Sequence, residues 1–136
     1  TRKAGIQTAG YFMIGSPTET KKDVLETIRF MKKLKPDYVH ITITTPFPAT
    51  KLYEMALREK VIEKDYWFEF AKNPLNRFTP HFWEKEINKE ELFGLLKKAY
   101  RSFYLRPSFI LDKIIRLKSR NELLNKTKAA LRLFRL

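Results

Sequence analysis

Two stretches of strand-forming residues, separated by one amphipathic segment, limit this chain more than any other feature. Residues 6–14, "IQTAGYFMI", become apolar on both faces in their second half, as in a strand buried from both sides. Residues 38–45, "YVHITITT", alternate strictly: Val39, Ile41 and Ile43 share one face, and Tyr38, His40, Thr42 and Thr44 the other. Between them Val24, Ile28, Met31 and Leu34 recur at helical spacing, which predicts a helix burying that face and exposing Lys21, Lys22, Lys32 and Lys33. Ser16 is placed to cap it, Pro17 suits its first position, Glu19 completes a capping box, and Pro36 ends it. A helix of this length allows the second strand to run parallel to the first, so the segment is a right-handed βαβ unit. Its apolar face meets the helix. Its polar face must then look toward something wetter, such as the interior of an open barrel or a ligand cavity.

Downstream, Pro46 and Pro48 keep the chain extended, and Thr50 is placed to cap a short helix ending near Lys60. From Tyr66 to Trp83 the pattern is irregular yet holds seven aromatics, Tyr66, Trp67, Phe68, Phe70, Phe78, Phe82 and Trp83. So much apolar surface predicts a segment packed on the body, as core cover rather than as a substrate lid. Asn88 with Glu91 opens a further helix through Leu92, Leu95, Leu96, Ala99 and Phe103. Arg106-Pro107 breaks it, and two basic amphipathic helices are expected after that, Ser108–Lys118 and Glu122–Arg135.

The formal charge of +13 is unevenly placed, with net +3 over residues 1–96 and net +10 over residues 97–136. Basicity is therefore a property of the tail, either a solvated helical surface or a patch for an anionic partner. No cysteine is present, so these residues build no disulfide, no thiolate nucleophile and no iron-sulfur site. No apolar run is long enough to span a bilayer, and the first residues lack the order of a signal peptide, so the expected location is the cytoplasm. The opening "TRKAGI" reads as the tail of a helix entering a strand, as expected of a piece of a longer protein.

The segment "GYFMIGSPTETKKDVLETIRFMKKLKPDYVHITITTPFPATKLYEMA" resembles the C-terminal part of a radical S-adenosylmethionine enzyme core. It is most similar to the branch with an N-terminal cobalamin-binding domain, which includes the anaerobic magnesium-protoporphyrin monomethyl ester oxidative cyclases. Gly10, Phe12, Gly15, Pro17, Glu19 and Thr20 match that branch's pattern for the penultimate strand. Thr45, Pro46, Pro48, Thr50, Leu52 and Tyr53 match the pattern after the last strand. Thr18 and Ala49 depart from it, each standing where the pattern has glycine.

The resemblance implies an α/β fold, the last two strands of a partial (β/α)6 barrel over residues 1–60, followed over residues 61–136 by the aromatic segment and a basic helical extension. It implies an oxidoreductase or methyltransferase that uses S-adenosylmethionine, a four-iron, four-sulfur cluster and cobalamin. The cluster's cysteine motif would lie in the N-terminal remainder of the protein, so this chain alone would be inactive. Carried over, Phe12, Ile14, Gly15 and Ser16 would line the adenine with Thr44 and Thr45 nearby, while His40 and Thr42 would look toward a small-molecule substrate. Two strands alone make no stable sheet, so the missing strands should pair beside them, with the chain's own helices or self-association covering any free edge.

Local readings compete with these. The Gly15–Glu19 turn also works as a plain strand-to-helix connection, Glu19 as a cap, His40 as a hydrogen-bonded interior side chain and His81 as a packing residue. A reading of a different class makes residues 97–136 a basic binding module on lipid or nucleic acid, with the βαβ unit as scaffold. Nucleic acid is the weaker partner there, because the tail has no recognised reading motif and few aromatics for base stacking.

Overall fold

The computed structural model of the chain describes residues 4–74 and 78–115. β1 (Ala9–Ile14) and β2 (Tyr38–Ile43) form a two-stranded parallel sheet, joined by the crossover helix α1 (Lys21–Leu34). The register sets Ala9 against Tyr38, Tyr11 against His40 and Ile14 against Ile43. β1 begins later than the expected Ile6. Gly5 turns the chain at φ 72°, and Thr8 is held to the entry of β2: its N–H and hydroxyl donate to the Asp37 carboxylate at 2.9 and 3.1 Å.

α1 also begins later than expected. Thr20, not Ser16, is its N-cap: the Thr20 hydroxyl accepts from the Asp23 N–H, and the Asp23 carboxylate accepts from the Thr20 N–H at 2.9 Å. Ser16 and Glu19 close a separate turn ahead of it, where the Glu19 carboxylate accepts from the Ser16 N–H at 2.9 Å. The capping pattern thus occurs twice in succession, and the second occurrence starts the helix. Val24, Ile28 and Met31 are buried, but Leu34 is 54% exposed. At 3.6 residues per turn Leu34 lies well off the line of the other three, on the same flank as the exposed Phe30.

α4 (Lys89–Tyr104), capped by Asn88, packs beside α1 and lays Leu92, Leu95, Ala99 and Phe103 against the sheet. Together α1 and α4 cover one sheet face, where Ile14, Val39, Ile41 and Ile43 are buried and Phe12 packs against the same cluster. α5 (Pro107–Ile115) begins where the break is expected, and the Arg106 guanidinium stacks 4.2 Å over Phe103 while donating to the Lys32 carbonyl at 3.1 Å. The remainder of the Ser108–Lys118 helix and all of Glu122–Arg135 lie outside the described residues.

A second, smaller cluster forms beyond the end of β2. α2 (Lys51–Arg58), capped by Thr50, and α3 (Tyr66–Lys72) surround buried Tyr53, Ala56, Ile62 and Trp83. Part of the expected irregular segment is therefore helical. Asp65 supplies the reason, its carboxylate accepting from the Phe68 N–H as an N-cap. The cluster is core cover, as its aromatics predict: Tyr66 stacks on His81 with ring centroids 3.9 Å apart, and Trp67 meets Phe47 and Phe78. Two hydrogen bonds fasten it to the strand exit, from the Trp83 N–H to the Thr44 carbonyl at 3.2 Å and from the Trp67 indole to the Pro46 carbonyl at 3.1 Å. Among the described residues no helix is long and apolar enough to cross a membrane.

Candidate functional site

Parallel pairing puts the exits of β1 and β2 side by side. The Thr44 N–H donates to the Ile14 carbonyl at 2.9 Å, and the Thr44 hydroxyl reaches both that carbonyl, at 3.1 Å, and the Ser16 hydroxyl, at 3.2 Å. Thr44 does not stand on the polar face with His40 and Thr42, as strict alternation predicts. It is 2% exposed, with its hydroxyl on the Ile14 carbonyl and its own carbonyl accepting from the Trp83 N–H. The Thr45 hydroxyl bonds back to the Ile43 carbonyl at 3.2 Å. Gly15 is buried at φ 75°, and a Cβ there would stand 2.7 Å from the Leu92 side chain. Both conditions call for glycine, one conformational and one steric.

The motif residues therefore have structural work at the exits. Glu19 ties the first turn, Thr20 and Thr50 cap helices, and the Tyr53 hydroxyl donates to the Asp65 carboxylate. That bond holds the Asp65 carboxyl below the usual carboxylate range, while burial first and Asp65 second raise the Tyr53 phenol well above its ordinary value. Thr18 and Ala49 take φ 67° and 60°. The two positions where the family pattern has glycine thus keep the left-handed backbone that favours glycine, and carry side chains in it.

The other sheet face is bare among the described residues. Tyr11, Met13, Tyr38, His40 and Thr42 all stand exposed on it, with Tyr11 at 78% and Met13 at 57%, and the Tyr11 and His40 rings meet edge to face at 5.7 Å. His40 and Thr42 are thus side by side on an open surface, as the sequence predicts. Phe12 and Ile14 are on the opposite, helix-covered face, so their side chains cannot line one cavity with His40 and Thr42. What Ile14 and Gly15 present near the bare face is backbone at the strand exit.

At the exits the Glu19 carboxylate is engaged by the Ser16 N–H, and the Ser16, Thr44 and Thr45 hydroxyls bond within the loops. Iron-sulfur ligands fit nothing in this chain, which has no cysteine, and no group of three metal-ligating side chains occurs among the described residues. Two cavities lie in the aromatic cluster. One, of about 10 Å³ between Pro46, Tyr53 and Trp67, has room for at most a single water. The other, of about 330 Å³, opens between Tyr66, Phe70 and Phe78. The first touches the β2 exit only through Pro46, and neither is lined by Gly15, Ser16, His40, Thr42, Thr44 or Thr45.

The chain aligns over 114 residues, 83% of its length, with an uncharacterized methyltransferase of Pyrococcus horikoshii at 40% identity. It aligns over 107 residues, 79% of its length, with the anaerobic magnesium-protoporphyrin IX monomethyl ester cyclase of Cereibacter sphaeroides at 32% identity. The chain is homologous to these proteins. A putative methylthiotransferase of Methanocaldococcus jannaschii matches at 28% identity over 85% of the chain. The resemblance read from the two motifs is thereby borne out. The chain spans only 24%, 16% and 27% of the lengths of these three relatives. No family model matches it, and no solved structure matches it to a significant degree.

Sequence reasoning missed Tyr100 and Tyr104, whose hydroxyls reach the backbone of β2. The available signal is a pair of tyrosines four residues apart beside the apolar stripe of a helix.

Proposed function

We propose that the chain is the C-terminal part of a radical S-adenosylmethionine enzyme, a methyltransferase or oxidoreductase similar to the magnesium-protoporphyrin monomethyl ester cyclases. Its strand exits form one wall of the adenine site, and its bare face one wall of the substrate cavity. One observation carries the reading. The exits of two separate family motifs are joined, Ser16 to Thr44 at 3.2 Å, at the C-terminal ends of parallel strands, the end at which parallel barrels bind ligands.

In this reading β1 and β2 close a partial (β/α)6 barrel whose other strands, cluster cysteines and cobalamin-binding domain belong to sequence outside this chain. When bound, S-adenosylmethionine and the cluster supply a carbon radical that abstracts hydrogen from substrate. This chain's residues position and exclude water. Gly15 and the Ile14 carbonyl side of the exit present backbone to the base, Thr44 and Ser16 fix the distance between the exits, and His40 and Thr42 offer polar groups to the substrate. A tetrapyrrole is the substrate class favoured by the cyclase's name.

The test is anaerobic reconstitution of the whole protein with iron, sulfide and S-adenosylmethionine, followed by assay for 5'-deoxyadenosine after reduction. The whole protein should bind S-adenosylmethionine and release the nucleoside, and Thr44→Val should weaken that binding about tenfold, as expected when a hydrogen bond that positions a binding surface is lost. A reconstituted protein that carries a cluster yet neither binds nor cleaves S-adenosylmethionine would sink the reading.

A further inference from the structure

In an extended strand, the N–H and C=O of successive residues point to opposite edges. Along β2 the even-numbered residues face β1, as the bond from the Tyr38 N–H to the Thr8 carbonyl marks. Val39 and Ile41 therefore turn their peptide groups to the far edge, where a further strand would ordinarily pair. Two phenols occupy that edge. The Tyr100 hydroxyl accepts from the Ile41 N–H at 3.0 Å and donates to the Ile41 carbonyl at 3.2 Å. The Tyr104 hydroxyl does the same for Val39, at 3.1 Å in both directions.

The match is geometric. Four helix residues rise about 6.0 Å, and two strand residues rise about 6.6 Å. Tyrosines at i and i+4 of α4, running antiparallel to β2, thus fall opposite alternate strand residues. The two rings lie nearly parallel, 10° apart with centroids at 6.3 Å. Burial raises the Tyr104 phenol above its ordinary value. Leu96, one turn earlier on α4, has no hydroxyl, so the series stops at two. The edge of β1 is different: among the described residues the outward peptide groups of Ala9, Tyr11 and Met13 have no such partner.

We infer that Tyr100 and Tyr104 form an edge lock that makes β2 the terminal strand of its sheet, barring any strand from pairing there and leaving β1 as the side on which the sheet is extended. The lock replaces the strand-to-strand hydrogen bonds of a free edge with side-chain ones, which a second chain cannot displace without first undocking α4. It holds whatever reaction the whole protein performs.

Amide exchange on the 136-residue chain tests it first. The Val39 and Ile41 N–H groups should exchange about five- to tenfold more slowly than those of Tyr11 and Met13, the protection expected of one net hydrogen bond each. Tyr100→Phe should release Ile41, and Tyr104→Phe should release Val39. Equal exchange at the two edges of the unsubstituted chain, or Phe variants that leave exchange unchanged, would overturn the lock.

Pairing is tested by light scattering at equal concentrations. The Tyr100→Phe, Tyr104→Phe variant, with its β2 edge released, should self-associate more than the unsubstituted chain, with new amide protection at Val39 and Ile41 on association. A folded double variant that associates no more than the unsubstituted chain would overturn the inference. If the double variant does not fold, the unsubstituted chain and the single variants decide.

Discussion

The two faces of the β1–β2 sheet obey different rules although they are built from the same twelve residues. On one, Ile14, Val39, Ile41 and Ile43 are sealed beneath α1 and α4, with Gly15 giving just enough room for Leu92. On the other, Tyr11, Met13, Tyr38, His40 and Thr42 face outward, with no helix over them among the described residues. Parallel sheets are ordinarily covered on both faces. The contrast separates residues that hold the described part of the chain together from residues that it leaves exposed.

The largest effect should come from the covered face. Phe103 is fully buried, stacked beneath Arg106 and in ring contact with Tyr104 and Phe109, so Phe103→Ala should destabilise the chain by about 3–5 kcal/mol. Chemical denaturation monitored by far-ultraviolet circular dichroism measures it. A loss below 1 kcal/mol, on the scale of an ordinary surface substitution, would mean that α4 is not what seals this face.

A gain is expected at the loops that leave it. Thr18, with φ 67°, is a β-branched residue in a left-handed conformation that costs an L-residue about 1–2 kcal/mol. Glycine relieves that strain but returns about 0.4–1 kcal/mol of unfolded-state entropy. Thr18→Gly should therefore stabilise by about 0.5–1 kcal/mol, and Ala49→Gly, without the β-branch, by less. Neither touches a face of the sheet, so both sharpen the contrast by showing that the exits carry their own strain. A destabilised Thr18→Gly would place the value of the threonine in a contact rather than in the backbone.

How much of this was legible in the sequence depends on the range of the interaction. The alternation of β2 from Tyr38 to Ile43, the α4 stripe, the Val24, Ile28 and Met31 part of the α1 stripe and the caps Thr50 and Asn88 are local patterns that reappear in place, whereas Leu34 and Thr44 depart from theirs. Ser16 and Thr20 both satisfy a cap pattern, and choosing between them requires knowing where β1 releases the chain. The inward turn of Thr44 brings its hydroxyl to the Ile14 carbonyl, 30 residues away. That Phe12 and Ile14 turn away from His40 and Thr42 follows from the register of Phe12 with Ile41 and Ile14 with Ile43, which no single strand reveals. The edge contact of Tyr104 spans 65 residues and uses a side chain where sequence patterns anticipate a strand. The meeting of the two motif exits was legible because each motif marks the end of its own strand.

The smallest effect on stability should come from the bare face, and it is the most informative. Among the described residues the His40 ring meets the Tyr11 ring edge to face on an exposed surface, so His40→Ala should change the stability of the chain by no more than about 0.5 kcal/mol. If His40 serves substrate in the whole protein, the same substitution should leave S-adenosylmethionine binding intact, because the adenine wall is built from the exits and not from this face. Substrate-dependent product formation should fall, while 5'-deoxyadenosine release without substrate persists. A structural histidine predicts the reverse order, with denaturation midpoint and cofactor binding lost together. Those two patterns cannot arise from one role, so a single substitution, measured once for stability and twice for chemistry, decides whether the bare face is a functional surface or merely an uncovered one.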